Sequence, residues 1–267
     1  MGFEFAGSLT GAAPVVRRLQ TGVTMYKGNL VISGIAGGLG GHVQLATVAS
    51  EAFENDQPII GMVSAVADES RTYVKGVSGT AGYGDRSTYT ATMATIAANQ
   101  GTGLTGGGEV DVTLIIPGDT LVRAPIYDTV WGTALTELTV TTGNSNGITV
   151  THANDTITDI ADDYSTIYCR SGANRGHYRV NTTGGANANV ATIPFPYTIV
   201  AGDVFVVASC VLGFGGMDIT TGCDAIDGDN NMDAFYAVYY HEINLEESGK
   251  EYAIFSMHPW WGSITSA

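Results

Sequence analysis

The sequence predicts an all-β protein, a β-sandwich or barrel in two lobes with little helix, and three observations carry that prediction. Charged residues make up only 14% of the 267 positions, against about 25% in ordinary soluble domains, and 36 Gly and 32 Thr fill the gap. Such a chain is poor in helix-favouring Lys and Glu and rich in residues that suit strands and turns. Short apolar segments recur between turn signals at regular spacing, the pattern of a sandwich or barrel. No long helical periodicity competes with them; ITDIADDYS (157–165) offers one or two turns at most.

Taken in order, VTMYKGNLVISGI and HVQLATVA flank the Gly-rich segment GGLGG and read as a hairpin with a long tip. PIIGMVSAV (58–66) is a buried strand, and RTYVKGV follows it. STYTATMATI (87–96) alternates polar and apolar residues in its early part, and its four Thr favour strand over helix. Further β segments are EVDVTLII, DTLVRAPIY, TALTELTVTT, GITVTHA, STIYCRS, GHYRVNTT, NVATIPF, DVFVVASCVLGF, AFYAVYYHEINL and EYAIFSM. The Gly-rich run at 101–108 divides the chain into a small barrel-like lobe, 1–105, and a sandwich lobe, 106–267. That run contains a formal GxGxxG, but a strand follows it where a dinucleotide site needs a helix, so it reads as a loop.

One turn recurs. Lys27-Gly28-Asn29, Pro117-Gly118-Asp119 and Ala201-Gly202-Asp203 each lead into an apolar strand. Gly supplies a positive φ and the Asx side chain bonds nearby backbone amides, so Asp119 and Asp203 read as turn residues before they read as catalysts.

Charge and composition exclude several functions. A net charge of −15 repels phosphate backbones and anionic lipid, so neither nucleic acid nor membrane is an expected partner. No apolar run reaches the 18 or so residues of a membrane span, and the N-terminal stretch lacks a signal-peptide pattern. Cys169, Cys210 and Cys223 lack metal-site spacing and read as reduced, buried thiols. His241-Glu242 begins like a zincin motif, but Leu245 stands where the second His belongs. No nucleophile elbow or P-loop occurs, and neither an enzymatic activity nor a cofactor is expected.

Three candidate sites remain. Asp224, Asp227, Asp229 and Asp233 crowd into CDAIDGDNNMD, a weak calcium candidate whose spacing does not match an EF-hand. Trp260 and Trp261 could anchor the C-terminal region into a neighbour or stack a sugar ring. The stretch CRSGANRGHYR (169–179) concentrates three of eleven basic side chains: Arg170, Arg175 and Arg179, with His177 between them. Read as a hairpin with GAN as its turn, it places Arg175, His177 and Arg179 on one strand face and Tyr178 on the other. That basic face suits the acidic region 218–251, with nine acids and one Lys, in the same or an adjacent subunit.

Four segments resemble head-decoration or minor capsid proteins of tailed bacteriophages: MYKGNLVISG, QPIIGMVSAV, STIYCRSGANRGHYRV and IPFPYTIVAGDVFVVAS. The resemblance covers about half of the chain, from Met25 to Val66 and from Asp111 to Phe214. It implies a β-rich virion structural protein without catalytic residues. It further implies assembly in the host cytoplasm and binding to a major capsid protein lattice as a homo-oligomer, a trimer before other numbers. A carbohydrate-binding or adhesive β-sandwich, a fibre or spike module using the Trp pair and the acidic loop, is the alternative.

Overall fold

A computed structural model describes residues 2–21, 25–33, 42–46, 59–67, 108–128, 132–153, 165–184, 187–220, 225–228 and 236–258. Among these residues there is no helix, and the fold is all-β in curled sheets. The strand expected at 87–96, the segment RTYVKGV, the GGLGG tip and the 157–164 segment lie outside the described residues.

Five strands close a barrel in the order β2 (Val16–Thr21), β4 (His42–Leu45), β3 (Leu30–Ser33), β5 (Ile59–Ala67), β6 (Gly108–Leu114). The expected hairpin is β3 with β4, Val31 opposite Leu45. The strands do not group by the division at 105/106. A barrel has no free edge only if its last strand returns to its first, and here β6 pairs with both β2 and β5. Conversely, β1 (Glu4–Ser8) leaves the N-terminal region to pair with β7 (Thr120–Tyr127). Two glycines allow that departure: Phe3 N–H donates to Gly28 O at 2.9 Å, and a Cβ on Gly28 would lie 2.6 Å from Gly2 Cα.

A second sheet has the order β1, β7, β17 (Tyr252–Met257), β16 (Tyr236–Asn244), β14 (Gly213–Met217), with β15 (Ile226–Asp227) parallel to β7. Strict alternation along β7 buries Val122, Ala124 and Ile126 and leaves Arg123, Pro125 and Tyr127 half-buried. A third sheet runs β8 (Glu137–Thr139), β13 (Val204–Ala208), β10 (Thr166–Cys169), β11 (Tyr178–Thr183), β12 (Ala188–Ala191), β9 (Thr149–Thr151). It curls nearly shut, because Thr142, just past β8, bridges to Thr151 on β9.

Continuous apolar runs become strands with both faces buried. On β3, Val31 points into the barrel with Val43, Val63, Val110 and Val112, whereas Leu30 and Ile32 join a larger core with Val122, Phe255 and Tyr240. On β13, Phe205 and Val207 line the interior of the third sheet, whereas Val206 and Ala208 face that same larger core. The larger core thus receives side chains from the barrel and from both sheets.

The recurrent turn has one geometry in all three places. Asn29, Asp119 and Asp203 each donate N–H to the carbonyl three residues back, at 3.0–3.1 Å. Gly28, Gly118 and Gly202 carry φ of 93°, 75° and 95°, the left-handed third position of a type II turn. Asn29 and Asp203 also accept the N–H of Tyr26 and Val200, so these Asx side chains are turn locks. Asp119 instead accepts Ser8 Oγ and Thr10 N–H, which fastens the end of β1.

Candidate interaction surface

The basic stretch is a hairpin, but its loop is longer than GAN. Antiparallel β10 and β11 pair from Thr166–Val180 to Tyr168–Tyr178. Cys169 and His177 then close a neck, Cys169 N–H donating to His177 O at 2.9 Å, and residues 170–177 form the loop. Gly172 cannot carry a side chain there, since a Cβ would collide with the Asp203 carboxylate. Asn174 is fully buried and binds the backbone of Tyr197 in both directions, Nδ2 to O and N–H to Oδ1, each at 2.9 Å. A side-chain amide thereby substitutes for a strand pairing and ties the loop to the 195–200 segment.

This corrects the expected strand face. Because β11 starts at Tyr178, Arg175 and His177 belong to the loop and do not alternate with Arg179. The three arginines have three different partners. Arg170 is 6% exposed and gives Nη2 to Glu251 Oε1 at 2.5 Å, Nη1 to Glu137 Oε1 at 2.7 Å and Nε to Leu245 O at 2.8 Å. Glu251 is wholly buried, and its second oxygen, Oε2, has no hydrogen-bond partner among the described residues. Arg175 pairs with Glu246 at 3.3 Å on the open surface. Both Glu251 and Glu246 come from the acidic 218–251 region, so these two pairings lie within one subunit. Arg179 forms no ion pair among the described residues; it donates to Pro194 O and Tyr178 O and lies over the Phe195 ring at 5.1 Å. His177 sits against Tyr197, ring centres 6.5 Å apart.

Beside this loop lies a groove of about 320 Å³, lined by residues 176–180 and by Thr192 and Ile193. Two of the residues that line it, Tyr178 and Ile193, are 47% and 58% exposed, and Tyr197, against His177, is 57% exposed. Ile193 and Tyr197 were not singled out in the sequence. IPFPYTIV holds apolar residues at nearly every position, and only the fold shows that Phe195 and Ile199 turn inward while Ile193 and Tyr197 turn outward.

Cys169 and Cys210 are buried free thiols; burial pushes them up to about 11 and about 12, which leaves both protonated and unreactive at neutral pH. Asp227 sits in β15 as a buried strand residue, its carbonyl accepting Ser209 Oγ at 2.7 Å. Asp224, Asp229, Asp233, Cys223, Trp260 and Trp261 lie outside the described residues. Among the described residues, no cluster of three or more His, Cys, Asp or Glu could hold a metal ion. His241 lies on β16, a strand as its sequence context predicts, and bonds Ser256 Oγ at 2.9 Å.

No family model matches the chain, and neither the curated proteins nor the solved structures provide a match.

Proposed function

We propose that this is a non-enzymatic structural subunit of a virus particle, a capsid decoration or minor capsid protein that stabilises the shell by adding contacts. It acts as a small homo-oligomer, a trimer in the first instance, on a lattice of major capsid protein. The observation that carries the reading is the surface around residues 170–200. Three large apolar side chains stand exposed beside basic residues on a chain with only 11 Lys and Arg. Aromatic side chains and Arg are the types enriched at the centres of protein interfaces. The pinned loop supports the same use, because a surface that is rigid before contact loses little entropy on binding. A specific contact of this kind buries about 1,000 Å² or more.

The test is absolute mass by size-exclusion with light scattering, and electron microscopy of the peak. A trimer, pentamer or shell-like particle supports the proposal. A monomer at every concentration that is retained by sugar columns, and released by a chelator, overturns it for the adhesive module.

A further inference from the structure

We infer that the groove beside β11 is a carboxylate-receiving contact, and that its occupant is the acidic turn between β16 and β17 of a second copy of this chain. The inference rests on the self-assembly part of the proposed function and adds the contact itself. Arg179 supplies the donors. A guanidinium has five N–H donors in one plane. Here Nε is committed to Pro194 O at 2.9 Å and one Nη1 hydrogen to Tyr178 O at 2.7 Å. With one face on Phe195, the group is held flat and its rotation is blocked. The Nη2 pair and the remaining Nη1 hydrogen have no acceptor among the described residues, and the side chain lines the groove. A fixed, half-used guanidinium edge is the donor that a carboxylate meets most strongly, through two parallel bonds. Beside it in the same groove, the exposed Ile193 supplies apolar surface that would exclude water from that pair.

The occupant follows from charge. Two copies at −15 each repel at long range, so approach is favoured where unlike charges face each other. Arg175, Arg179 and His177 mark the basic side of such a contact. The turn after β16 carries Glu246 and Glu247 on its exposed residues. Their present partners, Arg175 and Lys250, form pairs in which every side chain is more than half exposed. Exposed pairs of this kind contribute little, so these carboxylates can be re-paired across an interface at small cost.

Ile193 is the position to change, since it is exposed, lines the groove and takes no part in the bonds that hold Arg179. The contact predicts that Ile193→Glu weakens self-association about tenfold or more relative to Ile193→Arg, with both variants melting like the parent. Mixing Ile193→Glu with a Glu246→Lys/Glu247→Lys chain should restore the heavier species. Sedimentation velocity from about 1 to 100 μM, the range in which weak association is read, reports each result. An Ile193→Glu chain that keeps the parent mass overturns the groove contact while leaving assembly standing. Equal loss in the Glu and Arg variants overturns the carboxylate occupant, as does a mixture that stays light. A parent chain that is monomeric throughout overturns the assembly reading itself, and the contact with it.

Discussion

Replacing Arg170 by Met should be among the most damaging single changes available in this protein. Arg170 carries two carboxylates and one carbonyl on a single guanidinium that is 6% exposed. Among the described residues, its removal leaves the fully buried Glu251 with no donor on Oε1, while Oε2 already has none. Breaking a buried pair from one side strands a charge in a medium that solvates it poorly, at about 3–5 kcal/mol. For a chain of this size each kcal/mol moves the melting temperature by about 2–4 °C, so the fall should be about 6–20 °C. Urea unfolding and thermal melts of Arg170→Met, Glu251→Gln and the double variant form a cycle. The double variant removes the stranded charge and should recover at least about 1 kcal/mol over the sum of the singles, as coupled neighbours do. Glu137→Gln is the control; its side chain is 47% exposed, and its loss should cost under about 1 kcal/mol. An Arg170→Met protein within about 1 kcal/mol of the parent would refute the reasoning, as would a strictly additive double variant.

Other changes probe other parts of the fold. Gly28→Ala forces a side chain onto a φ of 93° and against the Gly2 backbone, and should lower stability by about 2 kcal/mol or more in urea. Asn174→Ala removes both bonds to Tyr197 and should cost about 1–3 kcal/mol, with Tyr197 becoming more mobile by NMR relaxation. With Cys223 replaced by Ser, a thiol reagent at neutral pH should label the native chain far more slowly than the urea-unfolded chain, because burial holds Cys169 and Cys210 as thiols. Asp119 is held below its ordinary value by the Thr10 backbone N–H, and further by Ser8. Its contribution is therefore present above the unfolded value near 4 and lost as pH falls through the lowered folded value. Asp119→Asn should flatten that part of the acid limb; an unchanged limb would count against the attachment of β1.

Most strands were legible because their alternation or apolar runs are local signals. The type II turns were legible for the same reason, since Gly-Asx ahead of an apolar run states both the φ and the side-chain bond it needs. β1 and β2 were not. VRRLQT holds adjacent arginines and no clean alternation, and it becomes a strand because the barrel needs a partner for β6. The pairing of β6 with β2 and β5 was hidden on the same ground, as barrel closure is a long-range requirement that no local window contains. In the basic stretch, the residue types were legible but not their fates. Arg170 finds Glu251 at a separation of 81 residues and Glu137 at 33, pairings that depend on how the third sheet folds on itself and against the second. The reach of the loop through His177 was hidden because Asn174, outwardly an ordinary turn residue, is instead its buried tie.

β13 has Phe205 and Val207 in one core and Val206 and Ala208 in another. A strand shared in this way is a party wall: neither room can be emptied while the other stands. Its amides should be among the last in the chain to exchange with deuterium, and they should exchange only when the whole molecule opens. Heating should then give one calorimetric peak and not two. A pull applied at one core would reach the other through this strand.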